Sequence, residues 1–516
     1  MKYPNLAEMM TIQAKQWKNK PLIYFNDEVF TYMQVEKMAN KAARMLKERG
    51  LKKGDRVGII MENSPFYLIS LITIFKSGAV AIPVNNMLRD TEFEYILNDS
   101  SSKFIFVSEK YKEQAVYLKN NVSSLEEVLS WNQINNDIIN VSDLSAPFSD
   151  EPLNCDFGYD DLVLFVYTSG TTGHPKGAMI THGNILSDAK SIDNTLQWHP
   201  SKKFLLFLPM FHSYTLMTSV IYPVYLGCGI IMFSSVMELK TKKFRKTLIL
   251  KRPKVMVGVP QVYQALIKAQ MPKWFIKFFY PIELHISGGA AISAETLDAF
   301  EKKFGVPILE GYGLSEASPV VSFNTFKEHR ADTVGKPMPG IEVKIIDDDE
   351  NEVPVGEVGE LIVKGGNVMK GYYHMPKATD DAIRNGWLFT GDFAKVDEDG
   401  FLYIVDRKKD LIISKGMNVY PREVEDVIKQ LDGIEAVAVI GAQIESKDEI
   451  ILAYVMKSDN SDITVAKIKA HLKSNLAAFK TPKHIFIVDE LPLTATGKVL
   501  KRKLKEQIKN GEFKID

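Results

Sequence analysis

Cysteine is almost missing from this chain. Cys155 and Cys228 are the only two in 516 residues, and they lie far apart in sequence. Neither a disulfide framework nor a cysteine-based metal cluster is expected. Net charge is missing as well: 64 Lys and Arg balance 64 Asp and Glu, which leaves no overall electrostatic footprint for nucleic acid. The N-terminus, from Met1-Lys-Tyr-Pro-Asn5 to Glu8, has no apolar core, so a secretory signal is not expected. With few thiols and no export signal, a reducing cytoplasm is the expected location. No internal repeat or low-complexity tract occurs. The rest of the composition, 45% apolar and 25% charged, is that of an ordinary globular protein. Such a length exceeds one hydrophobic core, so a large domain plus a smaller one is expected.

One stretch lacks charge altogether. Phe204 to Phe233 contains no Asp, Glu, Lys or Arg, and its length would suffice to cross a bilayer. Pro209, His212, Pro223, Gly227 and Gly229 interrupt it, and Ser213, Tyr214 and Thr215 are polar. A buried helix followed by a buried strand, Ile230-Ile-Met-Phe233, explains it better than a membrane span.

What the chain does contain is a loop rich in glycine and hydroxyl groups, Tyr167-Thr-Ser-Gly-Thr-Thr-Gly-His-Pro-Lys-Gly177. It follows an apolar run, Leu162-Val-Leu-Phe-Val166, that reads as a buried strand. Gly170, Gly173 and Gly177 permit turns that aim several backbone N–H groups at one anion. Ser169, Thr171 and Thr172 add hydroxyl donors and Lys176 a point charge. This is a polyphosphate cradle, though not a Walker A loop, because no Lys-Ser/Thr pair follows Gly173.

Helical and strand patterns alternate through the first 160 residues. A helix is expected from Phe30 to Leu46 with Thr31 as its cap, and another from Tyr67 to Ala79. Strands are expected at Asp55–Ile60, Ala81–Val84 and Phe104–Val107. Such alternation argues for parallel sheets covered by helices. The polar stretch from Asn132 to Asp161 reads as a surface connection. From Gly335 to Tyr403 the strands become short and turn-separated (Val343–Ile346, Gly359–Lys364, Tyr403–Val405), and after Leu411 an αβ pattern returns. A basic cluster at Lys501, Arg502, Lys503, Lys505 and Lys509 reads as a solvated face or a weak attraction for phosphates and anionic lipid.

The phosphate loop and seven later segments, in order, resemble the adenylate-forming superfamily of acyl-CoA synthetases, luciferases and peptide-synthetase adenylation domains. The segments are Leu208-Pro-Met-Phe-His212, Ser287-Gly-Gly-Ala290, Gly311-Tyr-Gly-Leu-Ser-Glu-Ala317, Thr390-Gly-Asp392, Val405-Asp-Arg-Lys-Lys-Asp410, Ser414-Lys-Gly-Met-Asn418 and Pro492-Leu-Thr-Ala-Thr-Gly-Lys498. Together with a weaker match at Gly78–Pro83 they span most of the chain. The resemblance implies an α/β fold with a large N-terminal domain, residues 1–406, of helix-covered sheets plus a small β-barrel at about 335–405. A small mobile α+β lid domain, residues 407–516, would follow a hinge at about 406–410, with Lys409 as hinge residue.

The resemblance also implies roles. ATP or AMP would contact Thr168, Ser169, Gly170, Thr171, Thr172, Gly173 and Lys176 in the loop. Elsewhere it would contact Gly289, Ala290, Gly311, Tyr312, Gly313, Ser315, Asp392 and Arg407. Glu316 and Thr172 would hold Mg²⁺, because a hard cation bridging phosphates takes few carboxylates. Tyr312 would lie against adenine and Asp392 would accept from the ribose hydroxyls. Lys498 would reach the carboxylate and the α-phosphate. Lys415 and Gly416 would face the pantetheine arm of CoA after the lid rotates, and the catalytic set would be Lys498, Thr172, Glu316 and Lys415.

His212, Gly288 and Gly313 would border the acyl pocket. Amino-acid-activating relatives carry an aspartate at the gate, whereas Phe211-His212-Ser213 offers no acid to pair an ammonium. The hinge sequence Val405–Glu425 looks most like bacterial medium- and long-chain fatty acyl-CoA ligases, so fatty acid, ATP and CoA are the expected small-molecule partners. A fatty acyl-AMP ligase, a carrier-protein acylating enzyme and an aryl-CoA ligase share the nucleotide motifs. A membrane transport protein without ligase activity is the alternative of a different class. Weak peripheral association with the inner membrane face and a homodimer are both compatible with the sequence.

Overall fold

The computed structural model describes residues 2–516 except 136, 169–174, 415–416, 444–448, 459–460, 495–497, 511 and 514–516. They form two compact units, residues 1–342 with 363–388 and residues 343–362 with 389–516.

The first unit contains two sheets. Seven strands lie in the order Ile139–Asn140, Glu127–Ser130, Ser102–Val107, Arg56–Ile60, Val80–Pro83, Leu162–Thr168 and Lys176–Thr181. All neighbours are parallel except the last pair, which is antiparallel. The interior strands read as near-continuous apolar runs because helices cover both faces. Helix Tyr32–Glu48 starts at Thr31, whose hydroxyl accepts from Gln34 N while Gln34 Oε1 accepts from Thr31 N. Losing such a cap costs about 1 kcal/mol. Helix Pro65–Ser77 is buried along its whole length, as its lack of a polar face requires.

The second sheet has nine strands, and six in a row are parallel. These are Ile308–Gly313, Leu284–Ser287, Val255–Gly258, Lys203–Leu206, Gly229–Met232 and Pro21–Phe25. The charge-free stretch accounts for two of them and for the helical turns between, from Ser213 to Leu226. Its residues are almost all buried, which explains the missing charge. Among the described residues no helix is long and apolar enough to cross a membrane.

The expected surface connection from Asn132 to Asp161 contains more order than its composition suggests. Strand Ile139–Asn140 extends the seven-stranded sheet, and a short helix, Val141–Ser145, follows it. Asn140 Oδ1 accepts from the N–H groups of Ser142 and Asp143. Residues that read as loop formers act here as a helix cap.

In the second unit, strand Leu402–Arg407 pairs antiparallel with Trp387–Val396 in a five-stranded sheet that also contains Ile341–Ile346 and Gly359–Gly365. Further along, strands Ile434–Gln443, Glu449–Lys457 and His484–Val488 form a mixed sheet. Its period-2 pattern divides two cores. Val437, Val439, Ile451 and Ala453 face helices Pro421–Lys429 and Val465–Asn475. Ala438, Ile440, Leu452 and Tyr454 face Leu504 of helix Lys501–Lys509. This is an α+β arrangement, as expected.

Candidate active site

Adjacent parallel strands end at one edge of a sheet, and ligands of open α/β sheets bind beyond those carboxyl ends. In the nine-stranded sheet three strands deliver candidate residues there. Lys203–Leu206 leads to His212, Leu284–Ser287 to Gly288, Gly289 and Ala290, and Ile308–Gly313 carries Gly311, Tyr312 and Gly313. His212 caps the helical turn that begins at Ser213, its Nδ1 accepting from Tyr214 N at 3.3 Å. The Tyr214 ring lies over Gly288, where an added Cβ would be 2.9 Å from it. Ser213 and Ser315 hydroxyls meet at 2.9 Å.

Gly313 has a local reason to be glycine. A Cβ there would sit 1.9 Å from the Pro319 carbonyl oxygen, because the chain turns tightly and Leu314 N donates to that same oxygen. Gly311 is likewise crowded by Phe323 and the Ser322 carbonyl. The space beside both glycines is filled by the chain's own strand Val320–Phe323.

Glu316 sits on the short turn Ser315–Ala317, between strands Ile308–Gly313 and Val320–Phe323. Its Oε1 accepts from Thr168 Oγ1 at 3.3 Å and from Tyr372 OH at 2.9 Å. Tyr372 reaches it because residues 370–373 run along strand Lys176–Thr181: Lys370 N donates to Met179 O, Met179 N to Gly371 O, and Tyr373 N to Gly177 O. Burial, then the Glu316 carboxylate, pushes the Tyr372 phenol well above its usual range, so it remains a donor. Lys176 Nζ lies 5.1 Å from the Tyr372 ring centroid. No sequence motif pointed to Tyr372; its contact with Glu316 spans 56 residues.

The phosphate loop itself is only partly described. Thr168 ends one strand and Lys176 begins its antiparallel neighbour, in direct register. Ser169, Gly170, Thr171, Thr172 and Gly173 lie outside the described residues. Gly177, read from sequence as a turn glycine, instead sits within the second strand opposite Tyr167. A Cβ at Gly177 would come within 3.1 Å of the Tyr167 ring, whose hydroxyl donates to Asp99 at 2.6 Å. That glycine makes room for a cross-strand aromatic ring.

In the second unit Asp392, Arg407, Lys409 and Lys498 are brought together. Asp392 follows Gly391, whose φ of 69° lies in the left-handed region, and it stands opposite Arg407 in the antiparallel ladder. Asp392 is buried, and Arg407 Nε is 3.5 Å from its Oδ1. Lys498 is held by Thr494, whose Oγ1 accepts from Lys498 N and whose N–H donates to Lys498 O. Lys498 is exposed to solvent. Partial desolvation of its ammonium, and then the positive charge of Arg407, brings the group down to about 8, with Asp392 pulling the other way.

The neighbouring Lys408 reaches Glu360 at 2.9 Å and Asp348 at 3.3 Å, and the bond to Glu360 raises its pKa. Lys415 and Gly416 lie outside the described residues; the strands on either side pair with Ser414 opposite Met417. The basic cluster is not uniformly solvated. Lys501 Nζ lies 2.8 Å from Glu425, and the attraction of Glu425 and Asp406 outweighs burial to raise its pKa. Asp406 in turn accepts from the N–H groups of Arg407 and Arg422. A helix lysine thus pairs with a carboxylate of another element instead of facing water.

Residues 10–373 match the family described as AMP-binding enzyme, and residues 423–498 match the AMP-binding enzyme C-terminal domain. The chain belongs to this family. A long-chain-fatty-acid–CoA ligase of Escherichia coli O6:H1 is 33% identical, over 98% of this chain and 95% of that protein. A feruloyl-CoA synthase of an Amycolatopsis species is 32% identical over 98% and 100%. The crystal structure of ATP-bound MatB from Rhodopseudomonas palustris superposes with a TM-score of 0.89 at 30% identity, covering 99% of this chain and all of that one.

Proposed function

We propose a medium- or long-chain fatty acid as the substrate of this AMP-forming acyl-CoA ligase. The acid is ionised at neutral pH, its carboxyl pKa being about 4, so no base is needed. One carboxylate oxygen attacks the α-phosphorus of ATP, the bond to pyrophosphate breaks, and a mixed acyl-adenylate anhydride forms. The thiol sulfur of CoA then attacks the acyl carbon. The thioester forms, AMP leaves with the oxygen that came from the acid, and the thiol proton goes to solvent.

The observation that carries the reading is the cationic cluster of Lys498 and Arg407 around buried Asp392. It supplies what the first step needs, a positive charge at a reacting phosphate and a carboxylate for a sugar diol. Thr168, the loop residues Ser169–Gly173 and Lys176 cradle the phosphates, while Tyr312 and Gly289–Ala290 border the nucleoside. Glu316 accepts from the hydroxyls of Thr168 and Tyr372, and neither donor brings a positive charge to compete with a cation. Among the described residues no cluster of three or more metal-ligating side chains occurs, and a hard cation shared with polyphosphate needs only one or two carboxylates. Glu316 and Thr172 would hold Mg²⁺, which supplies charge neutralisation of the departing pyrophosphate. Residues 407–516 act as the lid, turning about Lys409 so that Lys415 and Gly416 replace Lys498 at the reacting centre.

Fatty acid is favoured over an aryl acid by the long-chain ligases at 33% identity and by chain burial at about 0.8 kcal/mol per CH₂. Pyrophosphate release should be faster with C8–C18 fatty acids than with ferulate or benzoate at equal concentration. A preference for the aromatic acids overturns the substrate assignment and leaves the ligase chemistry standing.

The Lys498 shift predicts a pH dependence. With a pKa of about 8 in the free protein, Lys498 is an ammonium below that pH and loses its proton above it. Since kcat/KM reports the free enzyme's groups, kcat/KM for ATP in adenylate formation should fall as pH rises through about 8. Lys498→Arg, which stays charged, should keep a lower but flat rate over the same range. A wild-type profile flat to pH 10 contradicts the role given to this ammonium.

A further inference from the structure

We propose that the face formed by residues 239–282 docks this protein on an anionic lipid bilayer. Charge is balanced over the whole chain, yet Leu239 to Ile282 contains eleven Lys and Arg and no Asp or Glu. Among the described contacts two of the eleven are ion-paired, Lys243 with Glu238 and Lys254 with Glu283, both to carboxylates that flank the stretch. Arg245, Lys246, Lys268, Lys273 and Lys277 are all exposed.

Within this basic field lies a helix that presents apolar side chains in both directions. Lys273–Phe279 buries Phe275 in the core cluster of Tyr263, Phe300 and Phe304, and packs Ile276 against it. On the other side Trp274 and Phe278, four residues apart and so on one face, are 60% and 65% exposed. Lys273 and Lys277 flank them at the same spacing. The adjoining helix, Lys242–Lys251, is tied to this segment by Arg245, which donates to Gln270 O at 3.2 Å. It exposes Leu250 to 65%.

Rings of Trp and Phe ringed by lysine fit a headgroup layer, where indole sits at the polar boundary and lysine meets lipid phosphate. Nucleic acid also attracts basic residues and stacks on aromatic rings. Leu250 and Ile249, however, have no flat π face for a base, whereas acyl chains accept them. Docking does not depend on the substrate. Its use, collecting a fatty acid from the membrane, rests on the fatty acid reading above.

Sedimentation of the full chain with large unilamellar vesicles, without ATP or fatty acid, tests the surface. At low salt most of the protein should sediment with vesicles of equal phosphatidylglycerol and phosphatidylcholine. Little should sediment with phosphatidylcholine alone. Trp274→Ser with Phe278→Ser should lower the apparent affinity about tenfold or more, and Lys273→Glu with Lys277→Glu by a similar factor. Unchanged adenylate formation from a water-soluble short-chain acid shows that both variants remain folded. Wild type that stays in the supernatant, variants that bind as wild type does, or wild type that ignores vesicles but binds single-stranded oligonucleotide would each overturn the proposal. Vesicle binding with no activity on any fatty acid would instead overturn only the substrate reading.

Discussion

Lys498→Ala is expected to lower acyl-adenylate formation by about a hundredfold to a thousandfold, the scale of removing one preorganised donor from a charge-developing centre. Transfer from a supplied acyl-adenylate to CoA should stay near the wild-type rate. The separation follows from where the lysine sits. Its ammonium lies near Arg407 and Asp392, and in the proposed reaction it meets the carboxylate and the α-phosphate but has no bond to break in the thiol step. Lys498 is held through its backbone by Thr494, so truncating the side chain leaves these two hydrogen bonds in place. Rapid-quench measurement of pyrophosphate in the first turnover, together with a separate transfer assay, distinguishes the two halves. Equal loss in both contradicts the assignment of Lys498 to the first step alone.

Gly416→Leu should give the opposite phenotype. Lys415 and Gly416 belong to the segment assigned to the CoA side, between the paired residues Ser414 and Met417. A leucine side chain there would obstruct the pantetheine passage, and displacing a reacting group by about 1 Å is enough to cost roughly a hundredfold. First-turnover pyrophosphate release should persist, acyl-adenylate should accumulate on the protein, and steady-state acyl-CoA output should collapse. Intact first-turnover chemistry also shows that the variant has folded. A Gly416→Leu protein that transfers to CoA at the normal rate contradicts the lid rotation.

Much of this was legible in the chain because local chemistry dictates local form. Thr31 and Gln34 announce a helix start whatever surrounds them, and the apolar runs at Arg56–Ile60 and Leu162–Thr168 can only be buried strands. The family resemblance, and with it Glu316, Asp392 and Lys498, rested on short ordered motifs. What stayed hidden depends on contacts distant in sequence. Tyr372 meets Glu316 only because residues 370–373 align along another strand. Lys501 looked solvated because its neighbours are basic, while Glu425, which pairs with it, and Asp406, whose charge attracts it, come from other elements. Gly177 read as a turn glycine and Gly313 as a pocket residue, whereas the Tyr167 ring and the Pro319 carbonyl, which crowd them, come from other segments. The acid-free stretch from Leu239 to Ile282 was present in the sequence throughout. It acquires meaning once Trp274 and Phe278 are seen on the outside of their helix.

The most direct measurement follows one oxygen atom. With fatty acid labelled by ¹⁸O in both carboxylate positions, adenylate chemistry transfers one label to the α-phosphorus and leaves the other in the thioester carbonyl. Mass spectrometry of the products should therefore find AMP heavier by one ¹⁸O, unlabelled pyrophosphate, and acyl-CoA retaining the second label. Unlabelled AMP, or ADP with the label in orthophosphate, would place the attack elsewhere than the α-phosphorus and contradict the acyl-adenylate route.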